Sequence, residues 1–163
     1  MAVDMTIKFS DDIKGESKLK EHIDEVDVLA WSWGMSQSGT FHAGGGGGAG
    51  KVNIQDLSFT KWVDKASPKL LLACSNGKHI KEALLTVRKA GEKPLEYLKI
   101  KLEKLLVSSL STGGSGGEDR LTENVTLNFA KVTLDYIEQK LDGSGQPAVT
   151  YSWDVEANVK QGS

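Results

Sequence analysis

One cysteine, Cys74, stands in a chain of 163 residues. A lone thiol excludes an intrachain disulfide framework and fits a reducing compartment. No surplus of one charge is present either: 20 basic against 22 acidic residues leave a formal net charge of −2. Nonspecific nucleic-acid binding needs a basic excess, so no nucleic-acid partner is expected. No run approaches the roughly 20 apolar residues that cross a bilayer as a helix, so no membrane insertion is expected. The opening M-A-V-D-M-T-I-K lacks a basic segment followed by an apolar one, so no secretory signal is expected. The chain reads as a soluble protein made in the cytoplasm, whose export needs a dedicated machine.

Motifs that carry chemistry are thin. Gly45–Lys51 matches most of the phosphate-binding pattern G-x-x-x-x-G-K-[S/T]. Val52 stands where the Mg²⁺-holding hydroxyl belongs, and a strand pattern follows where that loop needs a helix. Gly45, Gly47 and Gly50 satisfy G-x-G-x-x-G only because the run is nearly all glycine. Ser115 lies in G-G-S-G-G, but a strand-like segment follows it, so the strand-to-helix elbow of a nucleophile is missing. His22, His42 and His79 are far apart, stand in polar segments and have no metal-ligand spacing; each reads as a surface residue. Adjacent carboxylates Asp11-Asp12 and Glu118-Asp119 would point to opposite faces of a strand. No catalytic residue, metal ligand or cofactor is assigned.

What the sequence does hold is strand periodicity and glycine. Met5, Ile7 and Phe9 alternate with polar residues. Leu29, Trp31 and Trp33 form a large apolar face, expected in the core, opposite Val28, Ala30, Ser32 and Gly34, expected to face water. Ser36–Phe41 can extend that strand, whereas the charged Ser10–Ile23 reads as a loop or edge. Further strands fall at Val52–Thr60, Ile80–Lys89, Leu95–Ser111, Leu121–Glu138 and Ala148–Val155. Leu105-Leu106-Val107 breaks the alternation of its strand, which implies a bulge or a crossing between sheets. The apolar phase also flips near Ala130, between Val125, Leu127, Phe129 and Val132, Leu134, Tyr136. A strand that changes its buried face belongs in a closed or two-sheet barrel. One helix is expected, over about residues 68–77. Ser67 is placed to cap it, Pro68 suits its first turn, and Gly77 suits its end. Leu70, Leu71, Ala73 and Cys74 form its apolar side, with Cys74 as a small core residue. The fold class is mainly β, a two-sheet barrel or sandwich with one flanking helix, in one domain over 1–163.

Two glycine-rich stretches remain, Ala43–Gly50 and Thr112–Gly117. Ordering glycine costs more conformational entropy than ordering any other residue. Contacts to a neighbouring subunit would offset that cost. Composition alone does not separate this reading from a free surface loop.

The runs D-V-L-A-W-S-W-G-M-S-Q-S-G (Asp27–Gly39), G-G-G-G-G-A-G-K-V-N (Gly44–Asn53), Q-D-L-S-F-T-K-W-V-D-K-A-S-P (Gln55–Pro68) and Val107–Ala130 resemble the hemolysin-coregulated protein family. The match runs from Met1 to about Tyr136; Ile137–Ser163 fits less distinctively. The resemblance implies a β-barrel with a side helix, homohexameric rings and a stacked hollow tube. It implies a contracting sheath, a spike protein and effector proteins as partners, and export by the bacterial type VI secretion system. On that reading Ser32 and Ala30 line the lumen and touch cargo. The loop of Gly44, Gly45, Gly46, Gly47, Gly48, Ala49 and Gly50 contacts the next ring or subunit. The chain stops soon after its last strand, so the plain structural type is expected. Two other classes stay open on the residues: a monomeric β-sandwich protein-binding module, and an enzyme using the glycine-rich loops.

Overall fold

The computed structural model describes residues 2–39 and 49–161. Nine strands and one helix follow in the order β1 Val3–Phe9, β2 Val26–Ser32, β3 Met35–Gly39, β4 Ala49–Ile54, β5 Leu57–Trp62, α1 Ser67–Asn76, β6 Ile80–Lys89, β7 Glu96–Gly113, β8 Thr122–Tyr136 and β9 Val149–Asp154. The main sheet runs β5-β2-β1-β6-β7-β8-β9, and β5 also pairs with β8. That extra pairing closes six strands into an antiparallel barrel and leaves β9 outside it, on the second half of β8. Strands β3 and β4 form a separate two-stranded ribbon continuing from β2 and β5. A mainly β barrel with one helix is what the alternation implied.

The core follows from the period of two. Ile7, Val26, Leu57, Leu85, Ile100, Val125, Leu127 and Val132 are fully buried inside the barrel. The strands keep this inner face through two changes of phase. In β7, Leu102 and Leu105 both point inward, and Lys104 between them takes φ 52. In β8, Phe129 and Val132 both point inward. Leu102 pairs with Val132 and Leu105 with Phe129, so both strands turn over at the same level and their register survives. The register shift itself lies later, between Val107 and Ser109, rather than within the Leu105-Leu106-Val107 triplet.

One expected face is corrected. Val28 is buried, while Leu29 is 38% exposed. The β2–β5 register shifts between Val28 and Ala30, so Leu29 sits at a bulge and the alternation restarts after it. Trp31 and Trp33, beyond the bulge, do pack against the core.

Helix α1 also differs in detail. Ala66 is its N-cap residue and no side chain caps it. Ser67 is the first helical residue, and its hydroxyl is taken by Lys61 and Glu123 instead. Pro68 sits in the first turn, where its missing N–H costs nothing. Leu70 and Ala73 are buried, but Leu71 points to solvent at 42% exposure because it lies a further 100° round the helix. Gly77 ends the helix at φ 67, the left-handed conformation that an added Cβ would strain.

Candidate functional surface

Past the bulge, the outward side chains of four adjacent strands line up in two rows. Ala30 on β2 pairs with Thr60 on β5, which pairs with Asn124 on β8, which pairs with Ser111 on β7. The second row is Ser32, Ser58, Thr126 and Ser109. None of these side chains is charged, and none is large and apolar. Thr60 donates to Asn124 Oδ1 at 2.7 Å, and the Ser109 and Thr126 hydroxyls meet at 2.6 Å. The centre of the face, around Ala30, Ser58, Thr60 and Asn124, is a shallow basin of about 290 Å³. At one border Asp56 accepts hydrogen bonds from Ser108 at 2.6 Å and Asn128 at 2.9 Å.

The neutrality of this face has a cause within the barrel. Lys61 and Glu123 stand one position on from Thr60 and Asn124, so the pleat turns both inward. Lys61 is 0% exposed; its ammonium donates to Ser67 Oγ at 3.0 Å, pairs with Asp64 Oδ1 at 3.0 Å and contacts Glu123 Oε1. Ser67 donates to the same Glu123 oxygen. Two ionisable groups that could have charged the face are thus buried and paired behind it.

The ribbon β3–β4 leaves the barrel at one end of this face. Trp33 fixes its base, donating from Nε1 to the Gln55 carbonyl at 2.9 Å and packing on Phe129 and Tyr151 with ring centroids 6.2 and 6.3 Å away. Gln55 N–H donates to the Gly34 carbonyl at 3.0 Å across the neck. Met35 and Val52 on the ribbon and Tyr151 and Trp153 on β9 line a groove of about 350 Å³, and the Tyr151 hydroxyl reaches Met35 Sδ at 3.9 Å. Burial there pushes the Tyr151 phenol up from its ordinary value.

Ser32 and Ala30 therefore lie together on the exposed neutral face, one in each row. Ala49 and Gly50 begin β4, and Gly50 lies close to its partner strand: a Cβ there would sit 3.1 Å from the Ser38 carbonyl and displace the Ser38 hydroxyl. Gly44, Gly45, Gly46, Gly47 and Gly48 lie outside the described residues. Ser115 sits in an exposed loop that leads into β8, so no helix follows it. No cluster of His, Cys, Asp and Glu able to hold a metal ion occurs among the described residues. No described helix is long and apolar enough to cross a membrane.

The surface reading of the histidines holds for His79, which is exposed, and fails for His22, while His42 lies outside the described residues. His22 is 8% exposed, with Nδ1 2.8 Å from Glu25 Oε2 and Nε2 2.6 Å from Glu96 Oε1. Glu96 is 74 positions away in sequence, and nothing local announces the contact.

A family model described as the type VI secretion system effector Hcp matches residues 6–136. The chain belongs to the Hcp family. A curated Hcp relative, protein hcp1 of Pseudomonas aeruginosa, is 66% identical and covers 98% of this chain and 99% of its own length. A solved structure of a type six secretion system protein superposes with TM-score 0.92 at 29% identity, over 98% of this chain and 100% of that one. The crystal structure of Hcp1 from Salmonella typhimurium gives TM-score 0.80 at 40% identity, over 98% and 99%. The Hcp family is a structural component of type VI secretion, and the barrel, ribbon and helix described above are its fold.

Proposed function

We propose that this Hcp chain is the tube subunit of a type VI secretion system. Copies close into a hexameric ring through a heterologous contact, and rings stack into a hollow secreted tube. The neutral rows on β2, β5, β8 and β7 line the bore, where Ser32 and Ala30 touch effector cargo. The segment Gly44–Gly50 reaches the next ring or subunit. The sheath, the spike protein and effectors are the partners. The chain is assembled in the cytoplasm and leaves with the tube.

One observation carries this reading. A face four strands wide is exposed, yet it holds small hydroxyl and amide side chains where a solvated sheet face usually carries charge. A wall of that kind presents hydrogen bonds without committing to the sign of a passing surface. Light scattering on the purified protein and negative-stain microscopy test the proposal. Hexamer mass and rings with a central hole support it. A monomer at high concentration favours a lone β-sandwich binding module instead.

A further inference from the structure

The segment between β1 and β2, residues 10–25, crosses the outside of the barrel as a strap. One end is tied to the helix side: Lys69 donates to the Asp12 carbonyl at 2.6 Å, and Lys65 N–H donates to Glu16 Oε2 at 2.7 Å. Internal bonds fold it on itself, from Gly15 N–H to Asp24 O at 2.8 Å and Ser17 N–H to Glu25 O at 2.9 Å. A Cβ on Gly15 would lie 2.6 Å from the Glu25 carbonyl, so the two arms are in contact. The other end lies over β1, β6 and β7, where Arg88 donates to the Lys20 carbonyl at 3.3 Å.

His22 is the one strap side chain that joins two carboxylates. Glu25 belongs to the strap and also accepts the Thr6 hydroxyl at 2.9 Å, which ties it to β1. Glu96 opens β7, and its second oxygen lies 3.1 Å from the Lys99 ammonium. Asp4 on β1 and Arg88 on β6 complete the charged surroundings, 3.7 Å apart. A neutral imidazole has one N–H donor and one lone pair, whereas the protonated ring has two donors. With a carboxylate oxygen against each ring nitrogen, only the two-donor form avoids facing a lone pair with a negative oxygen.

We propose that His22 is a pH-sensitive latch that holds the strap on the barrel in its protonated form and releases it on losing that proton. The sign follows from the geometry. Protonation makes both contacts attractive, so closure is complete at the lower pH and is lost as pH rises through the titration of the ring. Thr6, Thr86 and Arg88, polar side chains on the outer face of β1 and β6, are buried under the strap. Release of the arm over residues 15–25 wets these groups, while Ile13 at the other end stays in the core and keeps the apolar interior closed. The event is therefore a local opening, separable from unfolding.

Amide hydrogen exchange of residues 15–25 tests this, from about pH 6 to about pH 9, corrected for the intrinsic pH dependence of exchange, beside NMR of the His22 ring. In the full-length protein, strap protection should fall at least about tenfold in step with deprotonation of His22, while protection in β1 and β6 holds. His22→Gln should give low protection that no longer changes with pH. Glu96→Gln, which keeps the ring and removes one charged acceptor, should lower protection at the acid end. Strap protection that stays level while the ring deprotonates overturns the proposal. So does a neutral ring with the strap closed at the acid end, because the proton would then reside on a carboxyl. Co-unfolding of β1 and β6 with the strap would also overturn it.

Discussion

Lys61 and Glu123 meet across β5 and β8 at a paired position, with neither side chain open to water. Their partners Ser67 and Asp64 belong to the start of α1 and the turn before it. One buried ion pair thus fastens the helix to the barrel wall. Glu123 Oε2 has no hydrogen-bond partner, so Glu123 engages Lys61 and Ser67 through one shared oxygen while Asp64 supplies the second carboxylate on Lys61.

Removing Glu123 should leave Lys61 with Asp64 as its remaining carboxylate. Glu123→Ala is expected to destabilise by about 3 kcal/mol, the low end of the cost of breaking a buried pair, because Asp64 still faces the ammonium. Lys61→Met with Glu123→Leu, which removes this pair and leaves Asp64 held by the Ala66 N–H, should recover part of that loss. Thermal melts at matched protein concentration check the pair, because assembly also shifts the midpoint. A double variant as unstable as Glu123→Ala would mean that the ion pair is not the source of the loss.

Ser32→Glu should leave rings intact and weaken cargo. The side chain is exposed in the monomer, so folding has little reason to change. Each ring would instead carry the same new charge in every copy. Cargo retention by released tubes should fall at least about tenfold, roughly 1.4 kcal/mol. Loss of rings, read by light scattering, would place Ser32 in a subunit contact and not in the bore.

Deleting Gly45–Gly48 should give a folded protein that stacks poorly. The deletion lies beyond the paired residues of β3 and β4. Ring mass should be unchanged and tube length in the microscope should drop. Tubes of normal length would remove this loop from the stacking contact.

Glu96 should contribute to acid sensitivity. Burial alone would push its carboxyl up, but hydrogen bonds from His22 and Lys99, and their charges, outweigh this and hold it below the ordinary glutamate range. A depressed carboxyl adds stability that is complete above the unfolded value of about 4.3 and is lost as pH falls through the lower folded value. Wild type minus Glu96→Gln in denaturant midpoint should therefore shrink towards zero as the solution is acidified below that range. A difference that grows on acidification would contradict the assignment.

The alternation of apolar residues was enough to find the barrel, because inward positions along each strand are set by a strict period. The same alternation extends to Lys61, beside Leu57 and Phe59, and to Glu123, beside Val125 and Leu127, a consequence that was not drawn from the sequence. What it could not supply was the pairing of β5 with β8 that brings the two charges together. Leu29 was misplaced because a bulge adds a residue without any mark in composition. Ser67 was misplaced because its hydroxyl is taken by the Lys61 ammonium, by Glu123 and by the Asp64 N–H of the turn before the helix, and by no N–H of the helix itself. His22 was missed because its second partner lies in a distant strand. Ser32 and Ala30 were legible as a pair from alternation with Trp31 and Trp33. The full width of their face needed the register of four strands.

The paired turnover at Lys104 and Ala130 makes the lengths of β7 and β8 interdependent. Losing one residue from β7 upstream of Lys104 would exchange inside for outside over part of that strand while β8 kept its pattern. A matching loss from β8 downstream of Ala130 would bring the two back into step. Because the same half of β7 also pairs with β6, indels in these strands should be tolerated only where all the paired strands keep step, whereas the loop over residues 114–121 lies outside those ladders.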